Sequence, residues 1–173
     1  NQDIGAWDTS GVTSMEYMFN SARGFNRDIG GWAVHSVTDM KGMFCEATSF
    51  NQDIGDWDTS GVKDMSYMFR EASAFNKDIG NWAVHSVKNM RYMFYLAYAF
   101  DQDLGWCVDD GERLEWAFVG SGCCSMSCGV AQKDETGDCQ IINSCYYDYY
   151  DDDDGDGATE LVMSGGLVAI GLT

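Results

Sequence analysis

The sequence predicts an α/β solenoid, a right-handed stack of about five coils, each with a short parallel strand and a short helix, ending in a disulfide-rich C-terminal cap. Three observations predict it. Residues 1–100 divide without gaps into four copies of 25 residues, eleven columns are identical in every copy, and six of the seven cysteines lie after residue 100. Repeats of this length are typical of stacked coils, because one copy alone cannot bury its apolar side chains.

The elements of one coil follow from its apolar spacing. From Val12 the apolar residues follow one another at the spacing of a single helix face, ending at Ala22, which predicts a short helix. Thr9 and Ser10 precede it and can accept hydrogen bonds from its free first-turn amides. The stretch DIGAW, upstream of these residues, is too short for a helix and is interpreted as the parallel strand.

The identical columns predict the interior of the stack. Their apolar members are expected in the core, since the same side chain recurs at the same place in every coil; in the second copy they include Ile29, Trp32, Val37, Met40, Met43, Phe44 and Phe50. The asparagine column predicts a ladder in which each side chain satisfies backbone groups of a turn; its members are Asn1, Asn26, Asn51 and Asn76. Asp101 takes this place in the fifth copy.

The segment FNRDIGGWAVHSVTDMKGMFCEATSFNQDIGDWDTSGVKDMSYMF resembles the repeat of the BspA-like surface proteins, a divergent branch of the leucine-rich repeats. The resemblance covers residues 1–123. It implies a leucine-rich-repeat-like solenoid on a secreted or cell-surface protein, with a role in adhesion and protein interaction. The family has no shared catalytic residues. Its terminal copies often carry a cysteine pair, which implies a disulfide between Cys107 and Cys123 here.

The chain divides into four regions by composition. Residues 1–123 form the repeat region, with copies at 1–25, 26–50, 51–75 and 76–100 and a degenerate capping coil at 101–123. A cysteine-rich extension (124–147), an acidic spacer (148–160) and an uncharged apolar tail (161–173) follow.

The cysteines predict an oxidising compartment. Six of them are crowded between residues 107 and 145, an even number that favours three disulfides over a zinc site, because no paired C-x-x-C motif and no nearby histidine is present. The resemblance implies a partner only for Cys107 and Cys123. The sequence does not determine how the other four cysteines pair; they are Cys124, Cys128, Cys139 and Cys145. Cys45 is the seventh cysteine, in a variable column that predicts a surface position.

One stretch has the spacing of a calcium loop. Asp152, Asp154 and Asp156, followed by glycine, match its start, and Glu160 could supply a further ligand, but the twelfth position is Met163. The alternative is a solvated acidic spacer without metal. His35 and His85 share a column two coils apart, too far for one ion, and are expected to be surface or capping residues. No other cofactor is predicted.

The 13-residue apolar tail is shorter than the roughly 20 residues needed to cross a bilayer. It can be the beginning of a membrane span, if the natural chain continues, or a segment buried on a partner or on the solenoid. The sequence therefore predicts a secreted or cell-surface protein that a single C-terminal segment could anchor.

The formal charge of −18, from 28 acidic and 10 basic residues, argues against nucleic acid or anionic lipid as a partner. The sequence predicts a non-catalytic interaction or structural module that binds a protein or a glycan. Alternatives are a building block of an extracellular filament, a peripheral subunit of a large membrane complex, and, with least support, a carboxylate-based hydrolase. Variable positions predicted to face outward are the candidate contacts: Glu16, Lys41, Ser66 and Arg91.

Overall fold

The computed structural model describes residues 2–109, 114–123 and 128–141. Three strands lie in this part of the chain: β1 (Cys107–Val108), β2 (Ala131–Lys133) and β3 (Cys139–Ile141). They form one sheet in the order β1-β2-β3, with β1 parallel and β3 antiparallel to β2. The described residues contain no α-helix, so the predicted α/β solenoid of strand-and-helix coils is wrong.

The predicted helix is replaced by a series of short turns. The Met18 N–H donates to the Met15 carbonyl at 3.2 Å, and the Ala22 N–H donates to the Phe19 carbonyl at 3.0 Å. Within these two turns, Tyr17 (φ 52°) and Ser21 (φ 56°) have left-handed backbone, which a right-handed helix cannot contain. Turns closed over three residues repeat apolar positions at nearly the helical spacing, which is why the pattern misleads.

The predicted strand is also a turn. The Trp7 N–H donates to the Ile4 carbonyl at 3.1 Å, and Trp32 and Ile29 form the same bond in the next copy. Pairing between copies occurs elsewhere, at isolated parallel bridges that join Ser14, Asp39, Asp64 and Asn89 in succession.

Successive 25-residue copies lie on one another through backbone hydrogen bonds. The N–H groups of Met15, Tyr17 and Phe19 donate to carbonyls of the second copy at 2.8–2.9 Å, and equivalent bonds join the later copies. At Met15, Tyr17, Phe19, Ser21 and their equivalents, the donor lies in the earlier copy and the acceptor in the later one. At position 13 the bond runs the other way, from the Thr38 N–H to the Thr13 carbonyl at 2.9 Å.

The core consists of the same side chains in each copy. All seven apolar residues predicted for the second copy are buried: Ile29, Trp32, Val37, Met40, Met43, Phe44 and Phe50. The phenylalanines stack between copies, with ring centroids 5.6 Å apart for Phe44 and Phe69. The Nε1–H of Trp82 donates to the Ile54 carbonyl at 3.0 Å, so the buried indole nitrogen has a partner in the preceding copy.

The two ends of the stack differ. At the beginning, Trp7 is 55% exposed and Met18 is 42% exposed, although their equivalents in the later copies are buried. At the other end, Trp106 and Phe118 are buried beneath the segment that carries β2 and β3. No helix in the described residues is long and apolar enough to cross a membrane.

Candidate interaction surface

A column of aromatic side chains lies on the side of the stack, outside the core. The rings of Tyr67 and Tyr92 stack with centroids 5.1 Å apart, and Tyr92 stacks on Trp116 at 6.3 Å. We call these three residues the tyrosine ladder. Each is partly exposed. Because the rings stack on one another, the ladder presents mainly ring edges and the Tyr hydroxyl groups at the surface.

The backbone beneath the ladder is left-handed at every step. The φ angles of Tyr67, Tyr92 and Trp116 are 60°, 56° and 59°. Bulky residues rarely adopt this conformation, which costs of order 1–2 kcal/mol each. The stacking between copies holds these residues in place, and the left-handed backbone directs their rings outward.

Gly42 occupies the ladder position in the second copy, next to Tyr17 of the first. Its φ is 59°, and a Cβ atom there would lie 2.2 Å from the Tyr17 ring. The absence of a side chain at position 42 therefore allows the Tyr17 ring to cover this copy.

Charged side chains border the aromatic column. Lys41 forms an ion pair with Glu16 at 3.3 Å and lies over the Tyr17 ring at 5.3 Å; the hydrogen bond from Lys41 to Glu16 raises the pKa of this lysine. Arg91 repeats the arrangement with Glu115 at 3.0 Å and with the Tyr92 ring at 5.7 Å. The Arg91 Nε atom is buried and has no hydrogen-bond partner.

The four candidate contact residues are not equivalent. Glu16 is exposed, Lys41 and Arg91 are partly exposed, and all three border the aromatic column. Ser66 is 1% exposed, so its predicted outward position is wrong. The Ser66 side chain is short, and its hydroxyl donates a hydrogen bond to the Asp64 carboxylate within the same turn. The longer side chains at this position in the other copies extend outward.

The asparagine ladder lies on another part of the surface. The side-chain oxygens of Asn26, Asn51 and Asn76 each accept the backbone N–H of the residue 25 positions later, at 3.0 Å. The last of these donors is Asp101. Asn1 lies outside the described residues.

The disulfides differ from the predicted pairing. Cys107 is bonded to Cys139, and Cys123 is bonded to Cys128. The predicted bond between Cys107 and Cys123 is wrong, because β1, which carries Cys107, belongs to the same sheet as β3, which carries Cys139, and Cys123 is bonded within its own turn five residues later. Cys124 and Cys145 lie outside the described residues. The two disulfides indicate an oxidising, extracellular environment.

Cys45 is a free thiol, and its predicted surface position is wrong. It is 6% exposed. Burial raises the pKa of the Cys45 thiol, and a hydrogen bond with Arg70 opposes that effect. Variability of the column therefore does not mean exposure here, since Arg70, at the same position of the next copy, lies against the thiol.

The remaining candidate ligands do not form a site in the part of the chain that the structure covers. His35 and His85 are both exposed. Residues 2–109, 114–123 and 128–141 contain no group of three or more His, Cys, Asp or Glu side chains placed to hold a metal ion. The predicted calcium ligands lie outside these ranges; they are Asp152, Asp154, Asp156 and Glu160.

Sequence reasoning missed the tyrosine ladder. The signal was present, since three of the four copies have tyrosine at this position: Tyr17, Tyr67 and Tyr92. The column lies next to the candidate contact column, but a predicted helix gives no reason to expect stacked rings with left-handed backbone.

A family model described as "Mycoplasma protein of unknown function, DUF285" matches residues 28–121. The match begins in the second copy and ends within the capping coil. No curated protein and no solved structure matches the chain significantly.

Proposed function

Since the chain belongs to the family described as Mycoplasma protein of unknown function, DUF285, we propose its function from its own surface: a non-catalytic, extracellular module that binds another protein through the tyrosine ladder. The observation that carries this proposal is the stack of Tyr67, Tyr92 and Trp116, held on left-handed backbone at the side of the repeats.

The composition of this surface supports a protein partner. Tyrosine, tryptophan and arginine are the residues most enriched at the energetic centres of protein interfaces. The ladder contains two of these types, and Arg91 adds the third with a buried Nε atom. The rings are held by stacking before any partner arrives, so binding needs little further ordering of side chains.

The stacking also favours a protein over a glycan. A sugar ring binds an aromatic residue by lying flat on its face. Within the ladder the faces contact one another at 5.1 and 6.3 Å between centroids. Ring edges and hydroxyl groups remain available, and these suit the hydrogen bonds and packed side chains of a protein surface.

The disulfides support placement outside the cell or in another oxidising compartment. We further propose that the protein is secreted or held at the cell surface, with the apolar tail (161–173) as the attachment. This tail lies outside the described residues, so its sequence alone supports this part of the proposal.

The test is a display screen of extracellular protein domains with the wild-type chain, followed by affinity measurement with two variants. In the first, Tyr92→Ser and Trp116→Ser remove two rings of the ladder. In the second, the matched control, His35→Ser and His85→Ser change two exposed rings in another column. We expect at least tenfold weaker binding for the first variant and unchanged binding for the second.

A parallel glycan array separates the two partner classes. Binding to glycans with no protein ligand would overturn the choice of partner. Protein binding that is equal in both variants would overturn the assignment to the ladder. Hydrogen–deuterium exchange of the repeat backbone, unchanged by the substitutions, shows that both variants keep the stack.

A further inference from the structure

Tyr98 has the most exposed aromatic ring in the described part of the chain, at 64%. The three residues of the tyrosine ladder are each partly buried. Arginine, threonine and serine occupy the equivalent position in the first three copies. The stack therefore does not require an aromatic residue at this position.

The neighbours of Tyr98 in the adjacent coils leave its ring uncovered. The backbone bonds between the fourth copy and the capping coil place Gly122 at the equivalent position of that coil. In the third copy the equivalent residue is Ser73, whose hydroxyl donates to the Thr48 carbonyl at 3.5 Å, in the copy before it. Neither residue covers the ring. A flat ligand can therefore lie against the face of Tyr98, which the mutual stacking of the rings prevents at the ladder.

A cleft lies beside Tyr98 and is in contact with it through Gly122. A Cβ atom at Gly122 would lie 3.3 Å from the Tyr98 carbonyl oxygen and 3.2 Å from the Cβ of Asp101. The cleft has a volume of about 260 Å³, slightly below the roughly 300–1,000 Å³ of pockets that hold drug-sized molecules. It suits one small ring. Its walls are Asp101, Gln102, Asp103, Gly122, Gly129 and the disulfide between Cys123 and Cys128.

The cleft offers both hydrogen-bond acceptors and a donor. Asp101 donates its backbone N–H to Asn76, and its exposed carboxylate is left to accept. One oxygen of Asp103 accepts the Gly105 N–H at 3.2 Å, which leaves the other oxygen. The Gly122 N–H donates to no acceptor in the described part of the chain. A ligand that fills the cleft must therefore both donate and accept hydrogen bonds.

Hydroxyl groups meet this requirement, and a basic side chain does not. A lysine or arginine side chain has donors only, so it could bond the two carboxylates but not the Gly122 N–H. A sugar hydroxyl donates to a carboxylate and accepts from an N–H. The C–H groups on one side of a pyranose ring are weakly positive and are attracted to the negative face of an aromatic ring. Tyr98 and the cleft therefore match the apolar and the polar parts of a sugar.

We propose that Tyr98 and this cleft form a glycan-binding site, in which one uncharged sugar lies on the Tyr98 ring and its hydroxyl groups bond Asp101, Asp103 and Gly122. The two carboxylates repel sulfated and carboxylated sugars, and the chain as a whole carries a formal charge of −18. The site uses none of the residues of the tyrosine ladder. The module thus has a second class of ligand, which is independent of its proposed protein partner.

The test is a glycan array probed with the dye-labelled full chain. The array contains uncharged oligosaccharides of glucose, galactose, mannose and N-acetylglucosamine, together with sulfated and sialylated oligosaccharides. We expect saturable binding to at least one uncharged glycan and no binding to the charged ones. Calorimetric titration with the bound oligosaccharide then compares the variants.

Tyr98→Ala is expected to weaken binding at least tenfold, because the sugar loses the ring on which it lies, whereas Tyr98→Phe keeps the ring and binds like the wild type. Asp101→Ala removes an acceptor and is expected to weaken binding at least tenfold. Asp56→Ala, at an exposed carboxylate of the third copy, is the matched control and leaves binding unchanged. All these side chains are exposed, so the variants keep the stack, which hydrogen–deuterium exchange checks.

Absence of binding to every uncharged glycan overturns the proposal, as does binding that Tyr98→Ala or Asp101→Ala leaves unchanged. Binding of the peptide acetyl-Gly-Arg-Gly-amide, and of no sugar, would assign the cleft to a basic side chain of a protein and overturn the proposal as well. The variant with Tyr92→Ser and Trp116→Ser keeps this site and is expected to bind the glycan normally. The result therefore does not depend on the proposed function of the ladder.

Discussion

The side-chain oxygen of Asn76 accepts a hydrogen bond from the backbone N–H of Asp101 at 3.0 Å. The same oxygen accepts a second bond from the Gln102 side chain at 2.6 Å. It thereby joins the fourth copy to the capping coil. Asn26 and Asn51 join the earlier copies at the same place.

Replacing Asn76 with Ala is expected to lower the free energy of unfolding by about 1–2 kcal/mol, because the Asp101 N–H loses its acceptor. Chemical denaturation followed by intrinsic fluorescence measures the change. Asn76→Asp is the control, since a carboxylate keeps the acceptor. Equal losses for the two variants would show that the hydrogen bond contributes little.

Met68→Ala is expected to destabilise the fold by about 2–5 kcal/mol, because it removes a fully buried side chain and leaves a cavity between copies. Met18→Ala is the matched control in the same column. Its side chain is 42% exposed, so we expect a loss of less than about 1 kcal/mol. Thermal and urea unfolding compare the two. Similar losses would contradict the difference in burial.

Gly42→Ala is expected to destabilise the stack by more than about 1 kcal/mol, because position 42 has left-handed backbone and the new Cβ meets the Tyr17 ring. Gly31→Ala is the control, since a Cβ there meets no atom within 4 Å. It is expected to be neutral or slightly stabilising. Combining Gly42→Ala with Tyr17→Ala divides the loss of stability into two contributions. Removing the Tyr17 ring relieves the steric clash but not the cost of the left-handed backbone at position 42.

The bond between Cys107 and Cys139 spans 32 residues and that between Cys123 and Cys128 spans 5. In the chain-entropy model, the longer loop gives about 1.5 kcal/mol more stabilisation. We therefore expect the double variant Cys107→Ala, Cys139→Ala to lose more stability than Cys123→Ala, Cys128→Ala. Peptide mapping without reduction checks the pairing first; a peptide joining Cys107 to Cys123 would contradict the structure.

The buried thiol of Cys45 has a raised pKa in the folded state. The unfolded chain releases this proton from about pH 9 upward while the folded chain retains it, so the contribution of Cys45 to stability falls as the pH rises above that value. We expect the stability difference between the wild type and Cys45→Ala to decrease between pH 8 and pH 10, as measured by urea unfolding. A difference that grows over this range would contradict the burial of the thiol.

The sequence predicted the interior of the stack well and its secondary structure badly, for one physical reason. Identical columns indicate which side chains contact their equivalents in the neighbouring copies. The burial of Trp32 and Met43 can therefore be predicted without knowing the backbone conformation. The same spacing fits a helix or a chain of three-residue turns. Only the left-handed backbone at Tyr17 and Ser21 separates them, and neither residue type indicates it.

The disulfide pairing could not be predicted from the sequence, for a different reason. Cys107 and Cys139 lie on β1 and β3, two strands that both pair with β2, and cysteine spacing does not encode this long-range pairing. The candidate surface could be predicted in part from the sequence. The tyrosine column is visible in the aligned repeats, but the burial of Ser66 depends on its hydrogen bond to Asp64, which the repeats do not indicate.

The hydrogen bonds between copies have a mechanical consequence. Every interface between the repeats is built from equivalent contacts, so a force along the stack is carried by these interfaces in series. The segment from Cys107 to Cys139 is in addition cross-linked by two disulfides, so a module loaded in tension would open between repeats while this segment stayed closed.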